Sequence, residues 1–277
     1  MSENASIVVL GLDAFDVDWL ERWVAEGRLP CLARLLERGA FARLDSTRNL
    51  FGDAPWPTLN AGVTPAKHAF FNHLQLQRGT LDIERTDAHH CRYLPFWQYL
   101  RGTGLRCALI DVPKTFPIEG LDGVQICGWG EHYPLLRSPL SIPTDRVGRC
   151  RALYGDPPHP PEIVDPPSRD WERKTRDGLL EAIDRKRQLT ADLMDEGRWD
   201  FFFSVFSEVH YADHQFLHYT DPKHWAHEPN APEDLRTALA DVATRTDAAI
   251  GRLFEKIAEW TNWFVISVHG IEPNFTA

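Results

Sequence analysis

Apolar residues run from Ile7 to Leu12 with two consecutive valines, the pattern of a strand buried on both faces. Asp16 stands where it can cap a following helix, along which Trp19, Leu20, Trp23 and Val24 recur at helical spacing. Gly27 and Pro30 punctuate the chain, and Leu32, Leu35 and Leu36 mark a second short helix that stops at Gly39. Leu105–Val112 and Val124–Cys127 read as further buried strands, entered through Gly104 and Gly123. The segment from Asp156 to about 170 is Pro-rich, with six prolines before Arg169, and is expected to be a loop. A long helix follows, with Leu179, Leu180, Ile183, Leu189 and Leu193 on one side. Phe201–Phe206 is an unbroken apolar strand; Leu235, Leu239, Val242, Ile250, Leu253 and Ile257 step at helical intervals; Trp263–Ser267 closes as a strand. Strands alternating with helices predict an α/β fold with a mostly parallel sheet covered on both faces.

In such a sheet ligands bind beyond the carboxyl ends of the strands. The polar residues just past those ends are Asp13 after the first strand, Glu208 to His214 after FFFSVF, and His269 after WFVIS. All are metal-ligand types, and they come from three separate segments. His210 and His214 are four apart, so a helix would place both imidazoles on one face. Each feature alone has a plainer reading. Asp13 can brace a turn, His210-Tyr-Ala-Asp-His214 can be a polar helix start, and His269-Gly270 can end a strand.

Composition narrows the function. Thirty Lys and Arg face forty Asp and Glu, a formal net charge of -10, which argues against a nucleic-acid scaffold. A small phosphate ester remains compatible, because bound cations reverse a local field. The five cysteines, Cys31, Cys91, Cys107, Cys127 and Cys150, contain no C-x-x-C pair, and Cys107 and Cys127 sit in apolar runs as buried thiols. Neither a signal peptide nor a membrane-length apolar stretch is present, so a cytoplasmic protein is expected. No P-loop or Rossmann glycine motif occurs, and Cys31-Leu-Ala-Arg34 lacks the proline and spacing of a sulfatase signature.

The order of these segments resembles the type I phosphodiesterase and nucleotide pyrophosphatase branch of the alkaline-phosphatase-like hydrolases. The opening VVLGLDAFDVDWLERWVAEGRLPCLARLLERGAFARLDS is similar to that family's first strand, metal-binding Asp and first helices. Trp56-Pro-Thr-Leu-Asn-Ala-Gly62 with Pro65 and His68 resembles its W-T-x-x-x-T-G-x-x-P-x-x-H-G segment. GLRCALIDVPKTFP and Gly128-Trp129-Gly130 are similar to its central strand and substrate-side loop. WDFFFSVFSEVHYADHQFLHYTD resembles its D-x-x-x-H segment, and WFVISVHGIEPN its S-D-H-G-M segment.

The resemblance implies an alkaline phosphatase-like three-layer αβα sandwich spanning residues 1–277 as one domain, incomplete at the C-terminus. It implies a two-metal hydrolase of phosphate esters, with zinc the ion best suited to the histidines. Asp13 and His269 would bind the second metal, His210 and His214 the first. The departures are specific. His210 stands where the family has Asp, and Val268 where it has a ligating Asp. The family's nucleophile position falls on Gly52, leaving Asp53 and Thr58 as candidate catalytic residues, with Ser46 and Thr47 nearby; a further downstream histidine does not occur. The expectation is a metal-dependent phosphodiesterase, pyrophosphatase or phosphatase with an altered site. Two alternatives stay open: a catalytically degenerate protein that binds a metal or phosphorylated ligand, and a fragment of a larger hydrolase.

Overall fold

Strand pairing follows the apolar runs. The computed structural model describes residues 7–46, 52–77, 79–87, 90, 92–132, 134–159, 167–257 and 261–273. Thr47, Cys91 and 160–166 of the Pro-rich segment lie outside the described residues. In chain order the elements are β1 (Ile7–Leu12), α1 (Val17–Ala25), α2 (Pro30–Arg38), α3 (Pro55–Ala61), α4 (Pro65–His68), β2 (Leu74–Leu76) and β3 (Ile83–Arg85). A 3₁₀ turn (Phe96–Leu100) leads to β4 (Arg106–Ile110), β5 (Asp122–Cys127), β6 (Leu140–Ile142), α5 (Arg146–Tyr154) and α6 (Arg169–Asp195). The chain continues through β7 (Phe201–Phe206), α7 (Glu208–Thr220), α8 (Glu233–Arg236), α9 (Ala238–Phe254) and β8 (Asn262–Ile266).

Six strands form one sheet in the order β6-β5-β4-β7-β1-β8, and β2 with β3 forms a separate hairpin. β6 is antiparallel to β5; the other sheet pairings are parallel. The predicted strands are therefore neighbours in one mostly parallel sheet. Gly123 makes the β4–β5 pairing possible: at φ +128°, any Cβ there would lie 1.9 Å from the Cys107 carbonyl oxygen.

Both sheet faces are covered. Val8, Leu10, Leu12, Ala108, Ile110, Phe202 and Phe206 pack into an apolar cluster with residues of α1, α2, α5, α6, α7 and α9. The alternate positions Cys107, Leu109, Phe201, Phe203 and Val205 join Trp56 of α3 and Trp97 of the 3₁₀ turn on the other face. Asp16 caps α1 as predicted, accepting from the amides of Asp18 and Trp19 at 2.9 and 3.2 Å. α2 has no side-chain cap of its own; Asp247 of α9 accepts from Cys31 N at 3.0 Å and Leu32 N at 2.7 Å instead. Cys31, Cys107, Cys127 and Cys150 are free, buried thiols. Among the described residues, no helix is long and apolar enough to cross a membrane.

Candidate metal centre

Because β1, β4, β5, β7 and β8 run parallel, the segments that follow them open on one sheet edge. Asp13 is the first residue past β1, and its amide donates to Phe206 O at 2.9 Å, joining the ends of β1 and β7. Asp111 follows β4; Glu131 and His132 follow β5; α7 starts directly after β7 and carries His210 and His214; His269 follows β8. Backbone strain marks the same edge: Ala14, Asp111 and Lys114 adopt positive φ (55°, 48° and 60°) although none is glycine.

The four predicted ligands come together, and a fifth residue joins them. Two overlapping groups each bring one ligand atom per residue to within 4.8 Å of the others: Asp13, His210 and His269, and His132, His210 and His214. Helical spacing stacks the His210 and His214 rings, centroids 5.0 Å apart. The His132 ring lies 3.8 Å from that of His210 and 5.2 Å from that of His214. His269 meets His210 edge-on at 5.6 Å, and its buried Nδ1 has no hydrogen-bond partner. Asp13 accepts from Trp56 Nε1 at 2.6 Å through Oδ1 and pairs with His210 Nδ1 at 2.9 Å through Oδ2.

The electrostatics suit cation binding. Burial raises the Asp13 carboxyl, but His210, His269 and His132 outweigh it and hold the group well below the usual carboxylate range. Burial, reinforced by His210, pushes His132 far down, and burial lowers His269. Those two rings are neutral at pH 7 and keep a lone pair for a cation. Behind them Glu131 is pushed up to about 8, first by burial; its Oε1 accepts from Lys114 N at 2.7 Å. Glu208 opens α7 fully buried, with neither carboxylate oxygen hydrogen-bonded and His159 Nε2 3.5 Å from Oε1. A set of imidazoles, one ionised carboxylate and an orphaned buried nitrogen fits a divalent ion of the zinc type.

The predicted catalytic residues sit differently from one another. A Cβ on Gly52 would touch His269 Cδ2 and Nε2 at 3.5 Å, so this position faces the centre. Asp53 pairs with Lys114 Nζ at 2.8 Å and accepts from the His73 amide at 2.8 Å. Burial raises its carboxyl, and Lys114 and His73 bring it net below the ordinary value. The Thr58 hydroxyl donates to Ala54 O at 2.8 Å and lies 3.0 Å from His68 Nε2. Val268 packs into the apolar cluster around Trp56 and Val205. Sequence reasoning stopped two residues short of His132, at Gly130. The rule that selected Asp13, polar residues past a parallel strand, would have reached it if carried on from Cys127.

The signature of the type I phosphodiesterase / nucleotide pyrophosphatase family matches residues 7–276. Among curated proteins, none matches the sequence. Among solved structures, the fold is similar to phosphonoacetate hydrolase from Sinorhizobium meliloti 1021 in complex with phosphonoacetate. That match has TM-score 0.63 and 17% identity over 100% of this chain and 58% of that one. The same enzyme in complex with phosphonoformate gives TM-score 0.61 and 16% identity over 97% of this chain and 57% of that one. The chain thus spans somewhat over half the length of the solved structures it resembles.

Proposed function

The chain belongs to the type I phosphodiesterase / nucleotide pyrophosphatase family, and from that premise we propose that it hydrolyses a small phosphate ester in the cytoplasm with a divalent ion, zinc in preference. The observation that carries this reading is that Asp13 and His269 on one side, and His132 and His214 on the other, meet His210 at one sheet edge. When bound, the ion would neutralise charge on the phosphoryl oxygens.

The chain's own residues supply the rest. His132 and His269 are held neutral by burial and so offer lone pairs at physiological pH. Lys114 keeps Asp53 ionised at 2.8 Å, and His73 fixes the same carboxylate. Held as a carboxylate, Asp53 can accept a hydrogen bond from attacking water and so orient it. Thr58, engaged with Ala54 O and His68, is less ready to attack. With glycine at position 52, water replaces the side-chain hydroxyl that the family resemblance leads one to expect there.

The test is hydrolysis of a chromogenic phosphodiester and monoester by the purified chain, with zinc, with manganese and after chelation. Turnover that disappears on chelation, returns with zinc and falls in Asp53→Ala is the expected result. Turnover unaffected by chelation would refute it. Gly52 also favours a second reading, a protein that holds the ion and a phosphorylated ligand without cleaving it. Phosphate binding by the zinc-loaded chain with no turnover of either ester would select that reading.

A further inference from the structure

Two ligand groups share His210, and one histidine cannot serve both while its Nδ1 lies 2.9 Å from Asp13 Oδ2. We infer that the chain binds one zinc-type ion through three imidazoles, those of His132, His210 and His214, and that Asp13 orients His210 instead of ligating the ion. This deepens the functional reading above and rests on it only for the purpose of the ion.

Three observations carry the assignment. First, both Asp13 oxygens face a ring nitrogen, Trp56 Nε1 at 2.6 Å and His210 Nδ1 at 2.9 Å. A carboxylate on one nitrogen of a ligating histidine is the recurrent outer partner of metal sites; it sets the tautomer and leaves the other nitrogen for the ion. His210 Nε2 is the atom so released. Second, the stacked rings of His132, His210 and His214 already bring ligand nitrogens within 4.8 Å of one another. Nitrogens around a tetrahedral zinc stand about 3.3 Å apart for bonds of about 2.0–2.1 Å, so closure draws these nitrogens together and parts the His132 and His210 rings, whose centroids lie 3.8 Å apart.

Third, the segment bearing His132 is built to hold it. Asp111 accepts from Trp129 N and Gly130 N at 2.8 Å each and pairs with the fully buried Lys186. Glu131 is fastened to the Lys114 amide. Three imidazole ligands favour zinc over magnesium, calcium or manganese, and, bringing no negative charge, they leave the ion's charge undiminished for an anionic ligand.

The experiment is calorimetric titration of the metal-stripped full chain with zinc, alongside visible spectra of the cobalt-loaded protein. Wild type is expected to bind one ion. His132→Gln and His214→Ala should each lose more than about 100-fold in affinity, as loss of a ligand requires. Asp13→Asn should lose about 10–100-fold while keeping one ion and the wild-type cobalt spectrum, the mark of an orienting partner. His214 is exposed, so its variant keeps the test valid if the buried His132 change impairs folding.

Two ions per chain, no ion at all, or affinity lost in Asp13→Asn and His269→Ala but kept in His132→Gln and His214→Ala would overturn the assignment. Zinc bound as expected with no ester hydrolysis would leave it standing and remove the functional reading instead. Zinc-dependent hydrolysis indifferent to His132 and His214 would do the reverse.

Discussion

Lys186 lies fully buried in the middle of α6, paired with Asp111 at the end of β4 and 5.5 Å from the Trp129 ring centroid. Lys186→Met keeps much of the side-chain volume but removes the cation. Asp111 would then remain buried with only the amides of Trp129 and Gly130 to hold its charge. Breaking one side of a buried pair costs about 3–5 kcal/mol, and the two remaining donors favour the lower end, about 3 kcal/mol. At roughly 2–4 °C per kcal/mol for a domain of this size, the melting temperature should fall by about 6–12 °C. Urea unfolding followed by circular dichroism measures the free energy directly. The double variant Lys186→Met, Asp111→Asn should lose less than the sum of the singles, because the stranded charge is gone. Since the pair anchors the segment that carries His132, zinc affinity should weaken alongside stability. Lys186→Met with wild-type stability, or strict additivity in the double variant, would refute the reasoning.

Gly52→Thr should fold within about 1 kcal/mol of wild type, since its Cβ meets His269 at ordinary contact distance and Gly52 is not among the residues at positive φ. A restored hydroxyl should raise phosphodiester turnover at least about tenfold; no rise would mean that position 52 does not face the reacting phosphorus. Val268→Asp should destabilise by about 3 kcal/mol in urea, because it places a carboxylate in the apolar cluster around Trp56. Asp247→Ala removes the distant cap of α2 and should cost about 2 kcal/mol by the same assay. Burial, then His224, pushes His218 from 6.5 down to about 4. The unfolded chain therefore binds the extra proton in that window: stability is full above about pH 6.5 and declines as pH falls towards 4. Thermal melts of His218→Gln should show a shallower decline there.

The parallel strands were legible because each is a continuous apolar run, and burial on both faces demands that pattern whatever the rest of the chain does. Position in a parallel sheet then singled out Asp13, His210, His214 and His269, since carboxyl ends of parallel strands share one edge. Helical spacing alone made His210 and His214 neighbours. Other features depend on contacts between residues far apart in the chain. The cap of α2 by Asp247, 216 residues from Cys31, leaves no local trace. The brace of Asp111 by Lys186 joins a strand end to a helix midpoint. Val268 is filled by packing around Trp56 and Val205, a role that its place beside His269 does not reveal. His132 is marked in the sequence by its place beyond the end of β5 alone. Its meeting with His210 and His214 was decided by the sheet order, which brings β5, β4 and β7 side by side and so delivers three imidazoles to one point.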